Sequence, residues 1–171
     1  MNTSPENRPP LARHIDVDIQ WAEDLPRDAA VDDAELIEPL IAATLEYLRY
    51  PGDAEISVRL VNETEMADLN RRFRAKEGST NVLAFPFESA PELNLPFLGD
   101  VVVCVPVLQR EAAQQHKGLT QHFAHLLLHG TLHLMGFDHQ TEEQALQMET
   151  TERDILKQFG IPDPYGDIAE Q

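Results

Sequence analysis

The sequence predicts an α+β fold with a small mixed, largely parallel four-stranded sheet flanked by about five helices. Segments with apolar residues at every second position lie mostly in the first two thirds of the chain, whereas the last third has apolar residues at helical spacing. Helical segments also separate the first strands, as expected for crossovers between parallel strands. A chain of 171 residues is long enough for one domain with its own core.

The first half of the chain predicts two strands and two helices. Apolar residues alternate in His14–Trp21 and Ala54–Val61, and they recur at helical spacing in Asp32–Tyr50 between these strands. Asn62 followed by Glu65 resembles a capping box, which predicts the start of a second helix. The predicted buried face of that helix consists of Met66, Leu69 and Phe73.

The second half predicts two strands and three helices. Thr80–Phe85 is the third strand, and Val101–Val105 is so apolar that we expect both of its faces to be covered. Val107–His116 has moderate helical periodicity, and Thr120 is the predicted N-cap of the helix that follows. The pair Thr141 and Gln144 predicts the start of the last helix.

The two ends of the chain differ in character from its middle. Residues 1–13 are polar and proline-bearing with no apolar core of a signal peptide, and they predict a disordered segment. Residues 166–171 predict a loose acidic tail, which leaves 14–165 as a single catalytic domain of the metallohydrolase type. No apolar run reaches the length of a membrane span, and the single cysteine, Cys104, excludes an intramolecular disulfide. We therefore expect a cytoplasmic protein without a membrane partner.

Histidines near the C-terminal end form the most informative pattern. His129 and His133 are four residues apart, so both point from one face of a helix towards one ion. Gly136 can end the helix in a left-handed conformation and return the chain so that His139 lies beside the pair. These three residues are therefore the predicted metal ligands. His125 lies about 12 Å from His133 along the helix axis and cannot share that ion.

The donor set indicates the kind of metal. Three neutral imidazoles suit zinc or another transition metal better than magnesium or calcium, and three ligands leave a position open for water, as in catalytic sites. One Zn²⁺ is therefore the predicted cofactor, and imidazole also suits nickel and copper. His125 has either a supporting or substrate-binding role or none beyond the helix. His14, His116 and His122, taken singly, are interpreted as ordinary surface or hydrogen-bonded residues.

Charge gives a second pattern. The net charge of −17 argues against a general nucleic-acid surface, and DNA is not an expected partner. Four of the 13 basic residues nevertheless lie within six positions, namely Arg71, Arg72, Arg74 and Lys76. They form either a solvent-exposed helix face that balances nearby acids or an electropositive rim that directs a polyanion to one place.

Four blocks of this sequence resemble the YbeY family of bacterial metal-dependent endoribonucleases. They are Leu69–Lys76, Thr80–Pro86, Leu98–Asp100 and His129–His139, and the last is the most specific. The resemblance covers roughly residues 54 to 165, including the closing Asp163–Tyr165. Two departures are Ala75 and Ala84, where the family usually has glycine and serine.

The resemblance implies a small mixed sheet flanked by helices and a single-strand-specific endoribonuclease. That enzyme would act in ribosomal RNA processing and ribosome quality control, with ribosomal RNA and the ribosome or small-subunit proteins as partners. It also implies zinc held by His129, His133 and His139, and a role for Arg74 near the scissile phosphate. Arg71, Arg72 and Lys76 are the candidate substrate-binding residues.

Two aspartates are candidates for proton transfer or for orienting a histidine. Asp138 precedes the ligand His139, and Asp100 follows a glycine at a strand start. Asp138 is the candidate catalytic residue of the two. The alternative for both is an ordinary turn aspartate.

Two other functions compete with the nuclease hypothesis. The spacing of His129, His133, Gly136 and His139 coincides with that of the metzincin peptidases, but their general-base glutamate is replaced here by Gly130. The peptidase interpretation is therefore the weaker one. A non-catalytic ribosome assembly factor with structural zinc is the other alternative, although structural zinc usually has four ligands, and three are evident.

Overall fold

A computed structural model describes residues 14–165, so the segments 1–13 and 166–171, for which disorder and a loose tail were predicted, lie outside the described residues. The elements in chain order are β1 (Ile15–Trp21), α1 (Ala34–Tyr47), β2 (Ala54–Val61), α2 (Glu63–Arg74), β3 (Val82–Pro86), β4 (Phe97–Cys104), α3 (Val105–Gln114), α4 (Leu119–Leu134) and α5 (Glu142–Gln158). A short 3₁₀ turn spans Pro91–Leu93. The predicted α+β fold is confirmed.

The sheet has the order β1-β2-β4-β3. β2 pairs in parallel with both β1 and β4, and β3 adds to β4 as an antiparallel edge strand. The mixed, largely parallel character of the sheet is therefore confirmed. Parallel neighbours require crossover connections, and α1 provides the one between β1 and β2.

Successive side chains of β4 point to opposite faces of the sheet and enter two separate apolar clusters. Val101 and Val103 join the larger cluster, to which α1, α4 and α5 contribute buried side chains. Val102 and Cys104 join a smaller cluster with Met66 of α2. Both faces of β4 are thus covered, as its continuous apolar run predicts.

Two local expectations were wrong. Phe73 was predicted to be buried, but it is 62% exposed and meets Phe85 edge to face. Thr120 was predicted to cap α4, but the N-cap is Gly118, and the Thr120 hydroxyl donates a hydrogen bond to the carbonyl of Ala30 at 3.0 Å. The Thr120 hydroxyl is thus used in a contact with a distant part of the chain rather than in a cap. Helical periodicity placed Phe73 on the buried face, but it does not define how much of that face the opposing surface covers.

The predicted N-caps of α2 and α5 are confirmed. The Asn62 side chain accepts a hydrogen bond from the backbone N–H of Glu65, and Thr141 forms a reciprocal capping box with Gln144. Within residues 14–165, no helix is both long and apolar enough to cross a membrane.

Candidate metal centre

The last two turns of α4 present two histidines on one face. His129 and His133 are both half-buried, and their Nε2 atoms lie 3.1 Å apart. Because the residues are four positions apart, the helix itself brings the two rings together. The remaining faces of α4 are apolar and buried, which fixes the direction of the histidine face.

The chain after α4 brings the third histidine to this pair. The helix ends at Leu134, and Gly136 has a φ of +96°, a conformation that favours glycine. The turn places the ring of His139 with its centroid 5.6 Å from that of His129 and 5.2 Å from that of His133. The backbone N–H of His139 donates a hydrogen bond to Asp138 Oδ1 at 2.8 Å.

The three imidazoles fit a single transition-metal ion. One ring nitrogen from each of His129, His133 and His139 lies within 4.8 Å of the other two. Tetrahedral bonds of about 2.0–2.1 Å would place two ligating nitrogens about 3.3 Å apart, close to the separation in the helical pair. His139 is exposed, so the group opens to solvent on one side. Three nitrogen donors on an open site are the donor set of a catalytic metal centre.

A buried carboxylate lies behind this cluster. Glu152 of α5 is 0% exposed, and its Oε2 is 3.2 Å from His129 Nδ1 and 2.9 Å from His125 Nε2. Its Oε1 accepts a hydrogen bond from the Tyr165 hydroxyl at 2.8 Å. Burial opposes the ionisation of Glu152, but the hydrogen bonds from the two histidines outweigh it and lower its pKa to about 2.

These contacts define where the imidazole protons lie. An ionised carboxylate only accepts hydrogen bonds, so the His129 proton is on Nδ1, and the lone pair is on Nε2. Burial, with a smaller contribution from His129 and His139, lowers the pKa of His133. The lowered pKa favours the neutral form of His133, which is the form that binds metal. Burial and the charge of Glu152 raise the pKa of Tyr165, which keeps its hydroxyl a donor.

The histidines open into a cavity of about 730 Å³. Its walls come from α4, β3, the end of α2 and the turn after α4, and its charged or titratable lining includes Arg74, Lys76, His125, His129, His133, Asp138, His139 and Tyr165. The histidine cluster and part of the predicted basic cluster therefore share one cavity.

The four basic residues of the cluster have different environments. Arg71 and Arg72 both pair with Asp68, at 2.8 Å and 3.3 Å, and neither lines the cavity. Arg74 and Lys76 line it, and within residues 14–165 their side chains form no hydrogen bond or ion pair. Two cationic groups are therefore available to an anion that enters beside the histidines.

Hydrogen bonds at the end of α2 fix the backbone that carries Arg74 and Lys76. Ala75 ends the helix in the left-handed region at φ 53°, and its backbone N–H donates to the carbonyl of Asn70. The Asn70 side chain is buried and donates to the carbonyl of Gly78 at 2.9 Å. The turn that carries Arg74 and Lys76 is thus fixed at both ends.

Sequence reasoning missed Glu152 and gave Tyr165 no role. A signal for Glu152 was present, because it lies at helical spacing between the buried residues Met148 and Ile155 of α5. A carboxylate on the apolar face of a helix requires a partner. Asp100 does not line the histidine cavity and instead lies in a separate hollow with Arg59.

The remaining histidines behave as follows. His122 is buried, and its Nε2 is 3.0 Å from Glu111 Oε1, while His14 and His116 are exposed. His125, which the sequence left ambiguous, is 13% exposed and contacts Glu152. This contact agrees with a supporting role, and since His125 also lines the cavity, a substrate-binding role stays open as well.

The fold and this cavity define an α+β protein with an open three-histidine group that can hold a metal. Comparison with known proteins identifies the family of this chain. The family model described as endoribonuclease YbeY matches residues 22–160. A relative from Pseudomonas putida, named endoribonuclease YbeY, is 45% identical over 154 residues, covering 90% of this chain and 94% of the relative.

A protein of the same name from Nitrosococcus oceani is 46% identical over 156 residues, covering 90% of this chain and 99% of the relative. This chain belongs to the endoribonuclease YbeY family. A solution structure from Thermotoga maritima is similar in fold, with a TM-score of 0.54 at 22% identity, covering 88% of this chain and 98% of that one.

Proposed function

We propose that this protein is a zinc-dependent endoribonuclease that hydrolyses phosphodiester bonds in single-stranded ribosomal RNA. The observation that carries the proposal is that a three-histidine group and two cations without a partner in residues 14–165 line one cavity. The names of the relatives, endoribonuclease YbeY, support RNA as the substrate. We place its action in ribosomal RNA processing and ribosome quality control in the cytoplasm, with the ribosome or small-subunit proteins as partners.

In this proposal, His129, His133 and His139 hold the zinc. A metal held there would supply an activated water, with a pKa of about 7, and would polarise the phosphoryl group. The chain's own residues do the remaining work. The half-buried pair His129 and His133 forms the inner wall, and the exposed His139 leaves the side towards the cavity open for RNA.

Arg74 is the proposed catalytic residue of the protein chain. Its guanidinium is unpaired within the described residues and can donate two parallel hydrogen bonds to phosphoryl oxygens, where charge increases during hydrolysis. Lys76 would hold a neighbouring phosphate as a single positive charge. Arg71 and Arg72, which lie outside the cavity, would bind the strand beyond it.

The Oδ1 of Asp138 accepts a hydrogen bond from the backbone N–H of His139. Its second oxygen can still take part in proton transfer in the cavity, which Asp138 lines. The proposal therefore keeps Asp138 as a candidate catalytic residue whose carboxylate also shapes the turn at His139.

The packing of Gly130 argues against a peptidase function. This residue is buried, and a Cβ there would lie 2.7 Å from Val101 Cγ1, so a glutamate at this position would point into the sheet. The chain therefore has neither the metzincin carboxylate nor room for one in this packing.

The test of the proposed chemistry is Arg74→Ala. We expect it to retain its fold and its metal but to lose RNA cleavage by about 10²–10³-fold, the usual effect of removing one donor to a developing charge. Cleavage of a labelled single-stranded RNA under single-turnover conditions measures the effect.

Two variants serve as controls. Arg74→Lys keeps the charge but loses the paired donors, and we expect it to recover only part of the rate. Arg27→Ala removes an arginine that is 67% exposed and does not line the cavity, and it should cleave like the wild type. Full activity of Arg74→Ala would remove Arg74 from the mechanism.

A further inference from the structure

Within residues 14–165, Glu152 is the only acidic residue whose side chain is buried. Every other acidic side chain in residues 14–165 is at least partly accessible, whereas Glu152 is 0% exposed. Burying a carboxylate is costly unless hydrogen bonds replace the lost water. His129 and Tyr165 form hydrogen bonds with it, and His125 Nε2 lies 2.9 Å from Oε2. The geometry of these contacts links the buried carboxylate directly to a residue of the three-histidine group.

The geometry of the Glu152–His129 contact controls which nitrogen of His129 faces the cluster. Nδ1 lies 3.2 Å from Glu152 Oε2, whereas Nε2 lies 3.1 Å from His133 Nε2. A proton on Nδ1 leaves the lone pair of Nε2 directed at the space shared with His133 and His139. Rotation of the ring would break the hydrogen bond to Glu152, so the carboxylate also fixes the ring plane.

Tyr165 and His125 in turn hold the carboxylate. The Tyr165 hydroxyl donates to Oε1 at 2.8 Å, and His125 Nε2 lies 2.9 Å from Oε2. His125 Nδ1 is buried and has no partner within the described residues, which shows that the Nε2 side of this ring makes its polar contacts. Through Glu152, the network therefore connects His129 to residues of α4, α5 and the segment after α5.

We propose that Glu152 is a positioning residue that fixes the tautomer and orientation of His129 for metal binding, with Tyr165 holding the carboxylate in place. This inference rests on the proposed function, because it takes His129 to be a metal ligand. Glu152 itself does not line the cavity and does not touch substrate.

His125, His129 and Glu152 are also close enough together to be considered as a second metal site. Their nitrogen-to-oxygen separations of 2.9 Å and 3.2 Å are those of direct hydrogen bonds. The second oxygen of the carboxylate is occupied by Tyr165. We therefore assign this group to hydrogen bonding, and the number of metal equivalents bound decides between the two assignments.

The test is the Zn²⁺ affinity of Glu152→Gln, measured by competition with a chromophoric chelator. The amide has nearly the same size but only one acceptor oxygen, so it cannot accept from all three partners. We expect one metal equivalent in both proteins and an affinity about 10–100-fold lower in the variant, the usual effect of losing such a partner. Wild-type affinity in the variant would overturn the inference, as would a second equivalent that Glu152→Gln removes.

Three controls separate this effect from a general loss of structure. Glu143→Gln removes one charge from an exposed position in the first turn of the same helix and should bind zinc as the wild type does. The melting temperature of each metal-free variant shows whether the fold is retained. If Glu152→Gln does not fold, Tyr165→Phe decides: we expect a several-fold loss of affinity, and an unchanged affinity would overturn the inference. Failure of the wild type to bind zinc would instead overturn the proposed metal site.

Discussion

At the scale of single residues, Gly130 connects the packing of α4 to its chemistry. It lies one position after His129 and is buried against β3 and β4. Because it has no side chain, α4 can approach the sheet closely, which brings the histidine face to the edge of β3. The residue that distinguishes this sequence from a metzincin is thus also a packing residue.

Gly130→Ala should destabilise the protein. The new Cβ would lie 2.7 Å from Val101 Cγ1 and 3.2 Å from Val82 Cγ2, and valine side chains have little freedom to move away. Overpacking costs about 1–3 kcal/mol, whereas alanine gains about 1 kcal/mol over glycine in a helix, so we expect a net loss of about 1 kcal/mol. Urea unfolding measures this loss of free energy.

Val101→Ala provides the matched background for that substitution, because it removes the Val101 methyl groups, which include the nearest contact of the new Cβ, and leaves Val82 in place. In this background Gly130→Ala should be neutral or stabilising, which would appear as a non-additive double-mutant cycle. If Gly130→Ala destabilises both backgrounds equally, the contact with Val101 is not the cause.

Single residues also show which parts of the candidate site the sequence could predict and which it could not. The spacing of His129, His133 and His139 could be read directly, because a helix and one glycine turn determine it. Glu152 could not be assigned to His129 in the same way, since the two residues are 23 positions apart and the segment between them includes a loop whose path the sequence does not define. Only its place among apolar residues of α5 indicated that it was unusual.

At the scale of elements, the end of α2 determines where Arg74 and Lys76 lie. The helix and its basic last turn were predictable from capping and charge, whereas the exposure of Phe73 was not. Phe73 contacts Phe85 of β3 edge to face, yet 62% of its surface stays exposed. Periodicity predicts which side chains share a face, but not how far the opposing surface reaches.

Ala75→Gly should stabilise the protein. Ala75 has a φ of 53°, and the left-handed conformation costs an L-residue about 1–2 kcal/mol. The greater freedom of glycine in the unfolded chain offsets about 0.4–1 kcal/mol of this, so we expect a gain of about 0.5–1 kcal/mol. Thermal or urea unfolding measures the difference.

Ala90→Gly is the control for Ala75→Gly, because Ala90 is also exposed but does not have a positive φ. It should lose several tenths of a kcal/mol through unfolded-state entropy alone. A loss of the same size at Ala75 would mean that its conformation is not strained.

At the scale of the whole molecule, the order β1-β2-β4-β3 builds the cavity. The fold class and the four strands could be predicted, but the antiparallel placement of β3 on the outside of β4 is a long-range choice that local patterns do not contain. That placement puts β3 beside α4, so residues of β3 form one wall in front of the histidines.

Charge acts at the same scale. The chain carries a net charge of −17, yet the cavity presents Arg74 and Lys76 beside the histidine group. Under the proposed function, the net negative charge would repel a polyanion from much of the surface, and Arg74 and Lys76 would attract it to the cavity. The charge pattern and the histidine pattern were separate in the sequence, and the fold brings them together.

The most direct test of the central claim is cleavage of a labelled single-stranded ribosomal RNA fragment by metal-stripped protein, before and after Zn²⁺ is restored. Identically purified His133→Ala serves as the control. We expect the wild type to cleave only with zinc, and the variant to bind no zinc and to cleave under neither condition. Equal cleavage by both proteins, or by the wild type without metal, would contradict the account.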